Sequence, residues 1–158
     1  MKKGGQIAKE IAQHTIIVDG HVDLPYRMHH QGYKPDGEIM NVSKRTKTGD
    51  FDYPRSKAGG LDAPFMSIYI STKYQGSGEA KLLADSLILM TKEIAAKWPD
   101  KFAMAYNPTD ILNNFEAGRI SLPLGMENGA PLEGKLQNLD YFYDQGIRYT
   151  TLTHGKDN

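Results

Sequence analysis

The feature that most constrains this chain is an alternation of short apolar runs with helical segments. The runs are Ile16-Ile17-Val18, Phe65-Met66-Ser67-Ile68-Tyr69-Ile70, Ile120-Ser121-Leu122-Pro123-Leu124-Gly125-Met126 and Ile147-Arg148-Tyr149-Thr150-Thr151-Leu152-Thr153. Strands separated by helices build parallel βα units, and right-handed crossovers bring every strand's carboxyl end to one face. The expected fold class is therefore α/β, with ligands bound at that common face.

The first run leads straight into chemistry. Ile16, Ile17 and Val18 suggest a strand buried on both faces of a parallel sheet, and Asp19-Gly20-His21-Val22-Asp23-Leu24-Pro25 follows at once. If the extended conformation continues through Gly20, period-two geometry puts His21 and Asp23 on the same side at the strand's end. A neutral imidazole and a carboxylate so placed form a bidentate ligand suited to zinc. The competing reading is a polar loop after a core strand, in which these groups decorate the surface.

Ile7, Ala8, Ile11 and Ala12 predict a short amphipathic helix from about Gln6 to His14, with His14 suited to its carboxyl end. The polar stretch from Pro25 through Pro54, including Lys34-Pro35-Asp36-Gly37, has no sustained period and reads as a loop with room for a short helix. Connections of that length tend to be lids or binding loops, or else solvated insertions. His29 and His30 are expected at its surface. Gly76-Ser77-Gly78-Glu79 lacks the Lys-Ser/Thr ending of a phosphate loop, and Ser77 is better placed as a helix N-cap. Leu82, Leu83, Leu87, Met90, Ile94 and Ala95 then mark a long amphipathic helix ending near Trp98-Pro99. Phe102 to Ala105 suggests a short strand. Thr109 is expected to cap a helix that Gly118 stops, and Pro123 should make the next strand irregular. A helix from about Lys135 to Gln145 delivers the last strand, which is expected to end in His154.

Composition removes several function classes. Lys plus Arg and Asp plus Glu number 19 each, so there is no electrostatic footprint for nucleic acid or an anionic membrane. The absence of cysteine leaves histidines and carboxylates as the side-chain metal ligands. Met1-Lys2-Lys3 is basic, yet Gly4 to Glu10 provides no apolar signal-peptide region, and no stretch approaches membrane-spanning length. The expectation is a soluble chain with no visible signal peptide, its location cytoplasmic or open.

His21, Asp23, Glu127 and His154 all fall at the carboxyl ends of predicted strands, where a barrel carries its site residues. With Asp19-Gly20-His21-Val22-Asp23-Leu24-Pro25, Gly59-Gly60 ahead of Phe65 to Tyr69, Gly125-Met126-Glu127-Asn128-Gly129, and Gly146 through His154, the sequence resembles the amino-terminal part of the membrane (renal) dipeptidase family. The resemblance implies a (β/α)8 barrel with a two-zinc centre that hydrolyses dipeptides. It also implies that His21 and Asp23 bind the first zinc, Glu127 bridges both, and His154 contacts the substrate.

The family's second zinc is held by two further histidines on later strands, for which this sequence has no positions. A complete barrel takes about 250 residues, so the 158 residues are expected to form one incomplete domain, the first half of a barrel. Such a half would be inactive alone, would bind zinc at most partially, and would expose edges that favour a homo-oligomer or the missing carboxyl-terminal half. Two alternatives stay open: a non-catalytic remnant or interaction module of dipeptidase descent, and another amidohydrolase-type barrel. The latter more often opens with a second imidazole where this chain has Asp23.

Overall fold

The computed structural model describes residues 4–33 and 40–155. The part of the expected loop at Lys34-Pro35-Asp36-Gly37 lies outside the described residues. The elements alternate as the sequence suggests. Helix α1 (Gly4–His14) precedes strand β1 (Ile17–Val22), followed by α2 (Leu24–His30), α3 (Tyr53–Gly59) and β2 (Leu61–Tyr69). Then come α4 (Ala80–Lys97), β3 (Phe102–Met104), α5 (Pro108–Glu116), β4 (Ile120–Leu122), β5 (Leu124–Glu127), α6 (Gln137–Gln145) and β6 (Ile147–Thr151).

The principal sheet is parallel, with strands in the order β1-β2-β5-β6, and β3 pairs in parallel with β4. Pro123 explains the division of one apolar run into β4 and β5. Proline has no N–H to donate to a ladder, but its carbonyl accepts from the Met66 N–H at 2.8 Å. The first part of the run therefore pairs with β3 and the second joins the main sheet.

The period of two sorts β2 and β5 into a covered face and a site face. Met66, Ile68, Leu124 and Met126 are fully buried in the core shared with Met28 of α2 and Leu87, Met90 and Ile94 of α4. Ser67, Tyr69, Gly125 and Glu127 occupy the alternate positions. This pattern fixes register, because a slip of one residue would bury Glu127 and expose Met126.

Several expectations need correction. Strand β1 is not buried on both faces: Ile17 is 36% and Val18 51% exposed. It pairs only with β2, so one flank has no strand beside it among the described residues. Asp23 does not lie in the strand. It is the residue before α2, with φ −81° and ψ 34°, and Pro25 sits in that helix's first turn, where its missing N–H costs no intrahelical bond. The supposed loop thus begins and ends in helices.

Two caps also shift. The Ser77 hydroxyl accepts from the Glu79 N–H and donates to the Tyr74 carbonyl, closing a turn before α4 instead of capping it. Asn107, not Thr109, caps α5, accepting from the Asp110 N–H at 3.0 Å with Pro108 in the first turn. Finally, β6 ends at Thr151, and His154 lies three residues beyond it in irregular chain.

Candidate metal centre

Three expected residues meet at the carboxyl end of the sheet. His21 Nε2 lies 3.2 Å from Asp23 Oδ1 and 3.1 Å from Glu127 Oε2. One ligand atom from each of the three lies within 4.8 Å of the others. The strand-to-helix turn after Val22 makes this possible: His21 projects from the end of β1, and the reversal at Asp23 brings the carboxylate back toward it. The Asp19 carboxylate accepts from the His21 backbone N–H at 2.9 Å and braces the end of β1.

His154 joins from the opposite side, with Nε2 3.4 Å from Glu127 Oε1. Each oxygen of Glu127 therefore faces a different imidazole. The Ser67 hydroxyl also donates to Oε2 at 3.3 Å, and the Tyr69 ring meets the His154 ring edge-on with centroids 4.9 Å apart. His21 and Asp23 are exposed and Glu127 is half-buried, so the cluster opens toward solvent. One imidazole and two carboxylates with converging donor atoms fit a hard or borderline divalent cation. Those three residues could hold one, with His154 at its margin.

Sequence reading did not single out the residues that support this cluster. Ser67 looks like an ordinary polar interruption of an apolar strand. Asn128 is buried at φ 79°, a conformation asparagine tolerates better than most residues. Its amide donates to the Ile70 carbonyl at 2.8 Å, its side-chain oxygen accepts from the Ala130 N–H, and its backbone N–H reaches the Thr151 carbonyl. It thereby ties the end of β5 to the ends of β2 and β6. Tyr149 is raised above its ordinary pKa by burial, with the Glu127, Asp23 and Asp19 carboxylates adding to the shift. Its phenol remains a donor at neutral pH.

The expectation for His29 and His30 holds for only one of them. His30 is exposed, with its ring 4.4 Å from that of Tyr26. His29 is half-buried and, together with His30, Tyr26, Lys73 and Tyr74, lines a small cavity. Burial lowers its pKa, with the neighbouring His30 and Lys73 charges acting in the same direction. Among the described residues, no helix is long and apolar enough to cross a membrane.

This geometry can be set beside known proteins. An uncharacterized dipeptidase of Schizosaccharomyces pombe is 28% identical over 94% of this chain, which spans 38% of that protein. The probable dipeptidase PvdM from Pseudomonas aeruginosa superposes with a TM-score of 0.81 at 19% identity, covering 97% of this chain and 38% of the other. A metallo peptidase from Rhodobacter sphaeroides, liganded with a phosphinate mimic of the dipeptide L-Ala-D-Ala, gives 0.74 at 18% identity over 89% of this chain and 46% of its own. At such identities the structures establish the fold, and the shares covered agree with a partial barrel of parallel strands and helices. The family model for membrane dipeptidase, peptidase family M19, matches residues 6–158, and the chain belongs to that family of metallopeptidases.

Proposed function

We propose that this chain carries the amino-terminal share of a zinc-dependent dipeptidase site, in which His21 and Asp23 hold one ion, Glu127 bridges two, and His154 contacts the substrate. The observation that carries the reading is the convergence of His21, Asp23 and Glu127 within 4.8 Å in a chain of this family. Divalent ions bound there would supply Lewis acidity toward a peptide carbonyl and a hydrolytic water.

The residues' own contributions follow from their positions. His21 and Asp23 present a nitrogen and an oxygen from one short turn, so binding requires little reorganisation of the chain. Glu127 faces two imidazoles with separate oxygens, which suits a bridging role. Ser67 fixes the orientation of Glu127 by donating to Oε2, the kind of outer contact that orients a ligand. His154, which lies beyond β6 and against the Tyr69 ring, would donate a hydrogen bond to charge developing on a substrate oxygen.

The site residues come from β1, the turn after it, β5 and the segment after β6, leaving the sheet's other positions to later strands of a full barrel. The chain alone is therefore expected to bind zinc weakly and to hydrolyse no dipeptide. The test is zinc titration of the 158-residue chain and its Glu127→Gln variant, with L-Ala-D-Ala hydrolysis assayed before and after adding a carboxyl-terminal half from a full-length family member. Weak zinc binding lost in the variant, with turnover only after complementation, is the expected result. Turnover by the chain alone would refute the partial-site reading, and equal zinc affinity in both proteins would refute the ligand assignment.

A further inference from the structure

Below the ligand cluster, one side chain crosses the site face of the whole sheet. Tyr149 starts on β6 opposite Gly125 of β5. Its ring lies over Gly125 so closely that a Cβ there would overlap the ring atoms. The ring next meets Phe65 of β2, centroids 5.3 Å apart, and its hydroxyl donates to the Gly20 carbonyl of β1 at 2.8 Å. A single residue thus touches all four strands in the order β6, β5, β2, β1. Both ends of this contact abut the ligands. Gly20 immediately precedes His21, and Gly125 shares a strand face with Glu127 two residues later.

From this arrangement we infer that Tyr149 is a positioning residue, a strut that holds the end of β1 at the distance from β5 required for His21 and Glu127 to share one ion, with Gly125 as the slot that admits it. This rests on the metal-site reading above. Strand β1 gives the strut its purpose: among the described residues it pairs only with β2, and its register with that strand is irregular between Ile17 and Val18 and again between Asp19 and Val22. The ladder is therefore irregular where His21 must be placed. The Tyr149 hydroxyl supplies a bond at Gly20, inside the second irregular stretch.

The sequence allows a direct test. Gly20-His21 is the only Gly-His pair in the chain, so labelling glycine carbonyls with 13C and histidine amides with 15N gives one carbonyl-to-amide cross-peak, reporting Gly20 and His21 alone. The peak would be recorded for the metal-free 158-residue chain, for Tyr149→Phe, for Gly125→Ala, and for Ile94→Val as a core-destabilised control. Each protein would then be titrated with zinc while the same peak is followed, and its folding checked by circular dichroism.

The expected result is a displaced metal-free peak in Tyr149→Phe and Gly125→Ala but not in Ile94→Val. Zinc affinity should fall about three- to tenfold in Tyr149→Phe, the range carried by one hydrogen bond, and remain unchanged in the control. An unmoved metal-free peak in Tyr149→Phe would overturn the strut. So would a moved peak with unchanged zinc affinity, because the contact would then not position the ligands. Absence of any zinc response in the wild-type chain would instead refute the metal-site reading, and the inference would fall with it.

Discussion

Replacing Asp52 tests how the segment ahead of α3 is anchored. Its carboxylate is fully buried. One oxygen caps α3 by accepting from the Arg55 N–H at 2.9 Å, and the other accepts from Arg55 Nε at 2.8 Å and from the Thr46 N–H and hydroxyl at 2.9 and 3.2 Å. Loss of a helix cap costs about 1 kcal/mol, and removal of one partner of a buried ion pair costs about 3–5 kcal/mol. The Arg55 side chain is 28% exposed, so water can recover part of its charge and the low end of that range applies. Asp52→Asn, which keeps the cap acceptor but turns an amide toward donors, should lose about 3 kcal/mol; Asp52→Ala should lose about 1 kcal/mol more. Urea unfolding followed by circular dichroism reads both. Burial raises the Asp52 pKa, but the Arg55 and Thr46 N–H groups and the Arg55 guanidinium outweigh it and leave the group below its ordinary value of 3.8. A carboxyl with a depressed folded-state pKa stabilises fully above its unfolded pKa and loses that contribution as pH falls through the folded-state value. Wild-type stability should therefore decline below about pH 4 more steeply than that of Asp52→Asn. A loss under about 1 kcal/mol in Asp52→Asn would refute the anchoring role, and parallel pH profiles would refute the titration argument.

Other substitutions probe separate links. Gly60 ends α3 at φ 82°, and a Cβ there would run into the Ala12 carbonyl of α1, so Gly60→Ala should lower stability by about 1–3 kcal/mol, read by thermal unfolding. Leu87, fully buried in the core beneath the sheet, should cost about 2–5 kcal/mol on truncation to alanine, measured in urea. Ser67→Ala removes the hydroxyl from Glu127 Oε2 and should weaken zinc binding about 10- to 100-fold while leaving the urea midpoint nearly unchanged; calorimetric titration checks the first and chemical unfolding the second.

The main elements were legible because their signals are local and repeated. Met66, Ile68, Leu124 and Met126 announce two strands, Leu87, Met90 and Ile94 a helix stripe, and Pro123 an irregularity, though not the division of its run into β4 and β5 with different partners. The exposure of Ile17 and Val18 was not legible, since burial depends on which strands flank β1 and not on the run itself. The cap at Asp52 was hidden in a stretch with no periodicity, where Pro54 looks like a loop residue although it is tolerated in a first helical turn. Tyr149 was invisible for a different reason. Its partner Gly20 stands 129 positions away, and nothing in the local pattern of β6 indicates that its ring crosses the sheet.

The candidate cluster of His21, Asp23 and Glu127 depends on a strand that contributes none of its three members. Strands β1 and β5 are not neighbours, because β2 runs between them. With about 4.8 Å between adjacent strands, the backbones carrying His21 and Glu127 are separated by roughly twice that spacing, yet the side-chain atoms approach to 3.1 Å. Both side chains must lean across β2, so the residue beneath them has to be small. Ser67 meets that condition and adds a hydrogen bond to Glu127. A branched apolar residue there would suit the β2 pattern equally well for folding, but it would occupy the space in which the imidazole and the carboxylate meet. Ser67→Val should thus preserve the sheet while driving His21 and Glu127 apart, and zinc affinity should fall further than in Ser67→Ala. Equal losses in the two variants would show that Ser67 acts through its hydroxyl alone and that its size is immaterial.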